Sequence, residues 1–168
     1  MVLTQNDIKT YLSHTPPLID CMIDPDIQIQ PNGVDFTLRK IAHLKGQGVI
    51  DFSNKYRQLS DEQEIAFPSD GRLTVLPGLY IVTFNEIVHL PNHIAALGKP
   101  RSSLLRMGVS LHTAVWDAGY HGRGQALLHV INPDGVQIMK SARILQLVFF
   151  ELSSCTEGYK GVYQGEHI

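Results

Sequence analysis

Cysteine is scarce in this chain of 168 residues. There are two, Cys21 and Cys155, too few and too far apart for a disulfide framework or a paired-cysteine metal site. Reduced thiols in a cytoplasmic protein are the expectation. Positive charge is not in surplus either. With 14 Lys and Arg against 16 Asp and Glu, the formal net charge is −2, which gives no electrostatic footing for nucleic acid. A small polyanion is not excluded, because it needs only a local cluster of cations. No apolar run approaches the roughly 20 residues that cross a bilayer, so no membrane partner is expected. The opening MVLTQNDIKTYL lacks the basic-then-apolar layout of a secretion signal. Internal repeats and low-complexity blocks are missing too. What remains is 43% hydrophobic and 18% charged, the composition of an ordinary globule, long enough to bury a core as one domain spanning 1–168.

Punctuation, by contrast, is plentiful. With 14 Gly and 9 Pro, the chain breaks into many short runs. A helix is expected after Thr4, which can cap it, with Asp7 in the first turn and Ile8, Tyr11 and Leu12 at helical spacing. Pro16-Pro17 stops it. Ile27-Gln28-Ile29-Gln30 alternates like a strand, Pro31-Asn32-Gly33 turns, and Val34-Asp35-Phe36-Thr37-Leu38 alternates again. Beyond the loop Lys45-Gly46-Gln47-Gly48, the polar stretch 53–64 reads as a connection. Residues 73–90 read as a hairpin around a type II turn at Pro77-Gly78. The segment 91–97 reads as a turn or helical fragment, and 101–107 as a short helix. Strands are expected over 126–131 and 144–152, the latter covered on both faces at Leu147-Val148-Phe149-Phe150, with a turn at Asn132-Pro133-Asp134-Gly135 between them. Such a pattern implies a mainly-β barrel or jelly-roll-like fold with one or two short helices.

Two pieces of the stretch 98–132 carry chemistry. Lys99-Pro100-Arg101-Ser102-Ser103 packs two cations and two hydroxyls around a proline. Guanidinium forks and hydroxyl donors suit phosphate oxygens; the alternative is a solvated surface cluster. Arg106, one helical turn past Ser102, reaches the same side. Val115-Trp116-Asp117-Ala118-Gly119-Tyr120-His121-Gly122 sets Asp117 at the end of an apolar strand, before a glycine-punctuated turn. A carboxylate there orients a water or a sugar hydroxyl, or else caps the turn. Tyr120 offers a flat ring to a sugar or base, or packs as a half-buried strand tyrosine. Asp35 either supports a site through bound waters or anchors the turn after Gly33. Gln146 lies within an apolar strand and needs partners for its amide, from a phosphate or from backbone. His89 and His93 have the spacing of a helical zinc pair, but Pro91 between them denies the helix.

In this order the motifs resemble those of the dUTPase and dCTP deaminase superfamily, and AVWDAGYHGRG looks most like its archaeal-type dUTPase branch. Residues 34–38 resemble the first motif, the Arg-Ser-Ser cluster the second, and the Asp117 turn the third. Ala142-Arg143-Ile144-Leu145-Gln146-Leu147 resembles the fourth. Tyr159-Lys160-Gly161-Val162-Tyr163-Gln164-Gly165 is similar to the nucleotide-covering tail of the deaminase-like members.

The resemblance implies a distorted, dUTPase-like β-barrel, assembled as a homotrimer with interfacial active sites. It implies hydrolysis of dUTP to dUMP and pyrophosphate in pyrimidine deoxynucleotide metabolism. By resemblance, Asp117 contacts the 3′-hydroxyl and aims a water at the α-phosphorus, while Tyr120 lies beneath the sugar. Arg101, Ser102, Ser103, Arg106 and Gln146 face the phosphates, and the strand holding Gln125, Leu128 and His129 reads the base. Tyr159, Lys160, Tyr163 and Gln164 fold over the triphosphate as part of a mobile lid, 157–168. Mg²⁺ is held mainly by the triphosphate, with no direct protein ligand and Asp35 acting through water. Two departures stand out. Val162 occupies a tail position where relatives often carry lysine. The strand Gln125–Asn132 has no carboxylate, whereas the deaminases place a glutamate there; His129 stands at the matching position. The hydrolase reading is therefore preferred over a dCTP deaminase or a bifunctional enzyme, and over a non-catalytic deoxynucleotide-binding regulatory module.

Overall fold

Thr4 opens the first helix in a computed structural model that describes residues 1–168. Its hydroxyl accepts from the Asp7 amide while the Asp7 carboxylate accepts from the Thr4 amide at 2.8 Å, a closed capping box. The helix that follows, α1 (Gln5–Leu12), buries Ile8. Then come β1 (Ile19–Asp20), α2 (Pro25–Gln28), β2 (Ile29–Gln30), β3 (Gly33–Lys45), β4 (Asp61–Glu64), β5 (Arg72–Val75), β6 (Gly78–Phe84), β7 (Ile87–His89) and β8 (Ile94–Pro100). After α3 (Ser102–Arg106), the chain continues through β9 (Val109–His112), β10 (Val115–Trp116), β11 (His121–Gly122), β12 (Gln125–Val130), β13 (Val136–Met139) and β14 (Arg143–Glu151).

The largest sheet runs β10-β8-β14-β3-β6-β12-β9 and curls into a half-barrel. Its spine is β3. The first part of β3 pairs with β14, the middle with β6 and the last part with β4, all antiparallel. Register shifts at Leu38/Lys40 and at Arg143/Leu145 give the bulges that let a long strand bend. Phe36, Phe84, Leu128, Leu147 and Phe149 fill the interior. A second sheet, β1-β7-β11, lies beside the first and carries the turn after Asp117.

Several local expectations are corrected. Ile27-Gln28 belongs to a helical turn, because the Asp24 carboxylate accepts from the amides of Asp26 and Ile27 and Pro25 takes the first helical position. The 73–90 hairpin does not form. β5 pairs with β13, which lies between the strands expected over 126–131 and 144–152, while β6 turns away to β3 and β12. Gly78 sits at φ 154°, far from the value near +80° that a type II turn asks of its third residue. The end of the 53–64 connection forms β4, an exposed polar edge, and 94–97 is strand rather than helix. Leu147 and Phe149 are buried, but Val148 and Phe150 are only half covered.

Candidate active site

Asp117 follows the buried Trp116 at the end of β10, where Val115 and Trp116 pair with Leu97 and Ala96 of β8. Its turn is closed by the Tyr120 amide donating to the Asp117 carbonyl at 3.1 Å. Gly119 adopts φ 81°, and a Cβ there would meet Gly158 at 2.6 Å; only glycine meets both demands. The Asp117 side chain is exposed and lines a cavity of about 110 Å³ shared with Tyr120, Gln125, Tyr159, Tyr163 and Glu166. Tyr120 is buried and meets Tyr159 edge to face at 5.7 Å. Its hydroxyl donates to the Glu166 carboxylate at 2.9 Å. Burial, then that bond, drives its ionisation far above the usual phenol range.

The carboxyl-terminal segment closes this cavity by zipping along the Asp117 turn. The Tyr159 amide donates to Ala118 and the Gly165 amide to His121. The Gln164 side chain donates to the Gly119 carbonyl and accepts from the His121 amide, both at 3.0 Å. Lys160, expected over the same cavity, is exposed and pairs with Glu157 at 2.7 Å.

A second cavity, of about 380 Å³, is lined by Gln30, Asp35, Arg101, Ser102, Leu105 and Gln146. Asp35 is 2% exposed. Its Oδ2 meets Arg101 Nε at 3.0 Å and Arg143 Nη1 at 3.1 Å. Burial pushes the carboxyl up and the two guanidiniums pull it back. Both arginines meet the same carboxylate oxygen, and Asp35 thereby fixes Arg101 at the cavity wall. Arg106 and Ser103 are exposed on α3.

The two cavities share no lining residue. The expected base-reading strand is also divided. Gln125 lines the Asp117 cavity, donating to Glu62 and Thr83. Leu128 is wholly buried in the core, leaving its side chain out of any ligand's reach. His129 is half buried, paired across to Leu79 and Ser110, and lines neither cavity. Because β9 pairs only with 127–130, the backbone edge at Gln125 and Ala126 has a strand on one side alone.

Some residues of consequence gave no sequence signal. Glu86, fully buried, accepts from the Thr37 amide and hydroxyl and from Gln28. Arg123 donates to the Phe84 and Asn85 carbonyls and to His167 at 2.9 Å, tying β12's approach to the tail. Its only cue in the sequence is its position between Gly122 and Gly124. His93 bonds the Tyr11 hydroxyl and His89 stacks on His121 at 4.3 Å. No three His, Cys, Asp or Glu side chains gather to hold a bare ion. Asp117 and Glu166 are the two carboxylates that face the first cavity, and Glu166 already accepts from the Tyr120 hydroxyl.

Residues 2–152 match the family described as dCTP deaminase-like. The probable deoxyuridine 5′-triphosphate nucleotidohydrolase of Methanococcoides burtonii is 48% identical over 168 residues, covering 99% of either chain. The deoxyuridine 5′-triphosphate nucleotidohydrolase of Methanocaldococcus jannaschii is 44% identical over 140 residues, 82% of this chain and 88% of that one. Among solved structures, the 2′-deoxycytidine 5′-triphosphate deaminase from Agrobacterium tumefaciens superposes with a TM-score of 0.66 at 19% identity. That match covers 88% of this chain and 47% of the deaminase chain, about half its length, and bears on the fold alone. With its motifs, its curled sheet and these relatives in agreement, the chain belongs to the dCTP deaminase-like family.

Proposed function

We propose that the protein hydrolyses dUTP to dUMP and pyrophosphate. The observation that carries this reading is Asp117, an exposed carboxylate on a rigid turn, opening into a cavity walled by Tyr120 and by the unpaired edge of β12. The names of the archaeal relatives support the substrate. In this mechanism Asp117 accepts a hydrogen bond from the 3′-hydroxyl and takes a proton from a water as its oxygen attacks the α-phosphorus. The bond between that phosphorus and the α,β-bridging oxygen breaks, and pyrophosphate leaves. Tyr120 packs under the deoxyribose. The backbone edge at Gln125 and Ala126 reads the uracil, where a mismatched donor or acceptor would lose its partner on burial.

Arg101, clamped by Asp35, turns its remaining guanidinium edge to the phosphates beside Ser102 and Gln146. Mg²⁺ carried by the triphosphate supplies charge neutralisation. Since the Asp117 and Arg101 cavities are separate in one chain, each site draws on two subunits of a homotrimer. Leu97, Val115 and Leu105, exposed apolar side chains near the two cavities, become contacts between copies. A deaminase would need a carboxylate on β12 beside the base, and β12 has none.

Purified protein is tested with dUTP and dCTP, with and without Mg²⁺. Pyrophosphate and dUMP are expected from dUTP; ammonia from dCTP would overturn the assignment. Asp117→Asn keeps the shape and removes the charge. It is expected to lower kcat by about 10²–10⁴-fold while a non-cleavable imido analogue of dUTP still binds. Parental turnover in that variant refutes the role.

A further inference from the structure

The Asp117 cavity is unbalanced in charge. Its walls carry two carboxylates, Asp117 and Glu166, and no Lys or Arg, yet the proposed ligand is a polyanion. A cation does approach from outside. Residues 46–60, between β3 and β4, leave the sheet, and Arg57 within them lies over the Tyr163 ring, 5.2 Å from its centroid. Phe52, Ile50, Tyr56 and Leu59 on the same excursion are exposed, whereas Arg57 is partly covered.

The excursion holds its own shape. Val49 and Gln58 exchange backbone hydrogen bonds at its neck, 2.8 and 2.9 Å. The Asp51 carboxylate accepts from Ser53, Lys55 and Tyr56. Arg57 is therefore carried to a fixed place. It takes part in none of the molecule's ion pairs. β4, next in the chain, also reaches this wall, where Glu62 accepts from Gln125 at 2.9 Å.

A guanidinium lying on an aromatic face keeps its in-plane N–H donors free. Pockets for nucleotide-sized ligands start at about 300 Å³, well above the 110 Å³ between the tail and the Asp117 turn. The wall built by Tyr163 and Glu166 belongs to a tail with no helix or strand of its own, so it is the one that gives when a ligand enters. Arg57 sits behind that wall.

We propose that Arg57 is a substrate-binding residue: it takes oxygens of the nucleotide's phosphate chain, with Tyr163 as its platform. The 46–60 excursion and the tail then close on the ligand as two jaws. This rests on the dUTP reading and adds a cation to it.

The test measures steady-state kinetics with dUTP, and affinities for the imido analogue and for dUMP, in the full chain with Mg²⁺. Arg57→Gln is expected to raise KM for dUTP about tenfold, the loss of one charge-assisted hydrogen bond, with kcat within about twofold. The analogue should lose affinity by a similar factor and dUMP by far less. Arg57→Lys, which keeps the charge, should recover part of the loss. Parental KM in Arg57→Gln overturns the inference. Equal losses for dUMP and the analogue overturn it too, because Arg57 would then act only by seating the tail. A parent that neither binds nor cleaves dUTP overturns the function reading first, a result visible before any variant is made.

Discussion

Glu86 has no contact with solvent, yet three donors converge on it: the Thr37 amide at 2.8 Å, the Thr37 hydroxyl at 2.6 Å and Gln28 Nε2 at 2.7 Å. The carboxylate thereby joins the corner before β7 to β3 and α2. Burial pushes its ionisation up, and the Thr37 hydrogen bonds oppose that rise. Glu86→Gln substitutes an amide NH₂ for an oxygen and sets donor against donor, at a cost of about 1–3 kcal/mol in urea unfolding; parental stability would show the network to be slack. His89 works in the opposite direction with pH. Burial, and then the charge of His121, hold it below the ordinary imidazole range, with Asp20 pulling the other way, and its Nε2 has no hydrogen-bond partner. The unfolded chain binds this proton near about pH 6.5, and the native chain only at lower pH. The contribution is therefore complete above that value and is lost as pH falls through it. Between about pH 7 and 5.5 the urea midpoint is expected to fall more steeply in the parent than in His89→Phe; equal slopes discard the idea.

At the scale of elements, the tail is held by hydrogen bonds between Tyr159, Gln164, Gly165 and Glu166 and the stretch 118–123, with Glu166 accepting from Tyr120 and Arg123. Little of the core depends on them, since the buried cluster lies within residues 3–149 and Tyr159 and Tyr163 only pack against it. Deleting 157–168 is expected to raise KM for dUTP at least about tenfold and to slow kcat, the lid's contribution to closing the site. The far-ultraviolet circular dichroism should be unchanged. A truncated protein matching the parent in both constants removes the lid from the mechanism. This tail also marks where sequence reasoning reaches its edge. The Thr4 cap, the α3 helix, the Asp117 turn and the buried alternation of β12 were legible because each rests on residues within a few positions of one another. The β5–β13 pairing was not, because partners about 60 residues apart leave no local trace and Pro77-Gly78 imitates a hairpin turn. Arg57 above Tyr163 and Glu166 on Tyr120 were hidden for the same reason: polar residues in Gly-rich or exposed stretches read as solvent-facing until the chain brings them together.

At the scale of the molecule, the separation of the two cavities decides what one chain can do alone. Asp117 belongs to a cavity that reaches neither Arg101 nor Ser102. In the proposed mechanism a triphosphate held by both is gripped across a boundary between copies. The exposed apolar residues Val115, lining the first cavity, and Leu105, lining the second, lie where such a boundary would run. Two inactive variants separate an interfacial site from one assembled within a chain. Asp117→Asn removes the water-orienting group. Arg101→Gln removes a phosphate ligand while Arg143 still holds Asp35. Co-expressed under two different tags and purified through both, the variants share the mixed oligomers of the proposed trimer. If each site takes Asp117 from one subunit and Arg101 from the next, one site in every mixed trimer, about a third of the sites in the doubly tagged fraction, combines two intact halves. Activity near that fraction of the parent is expected, whereas either variant alone stays inactive. Doubly tagged oligomers that remain as inactive as their parts would place both groups in the same subunit and end the interfacial reading.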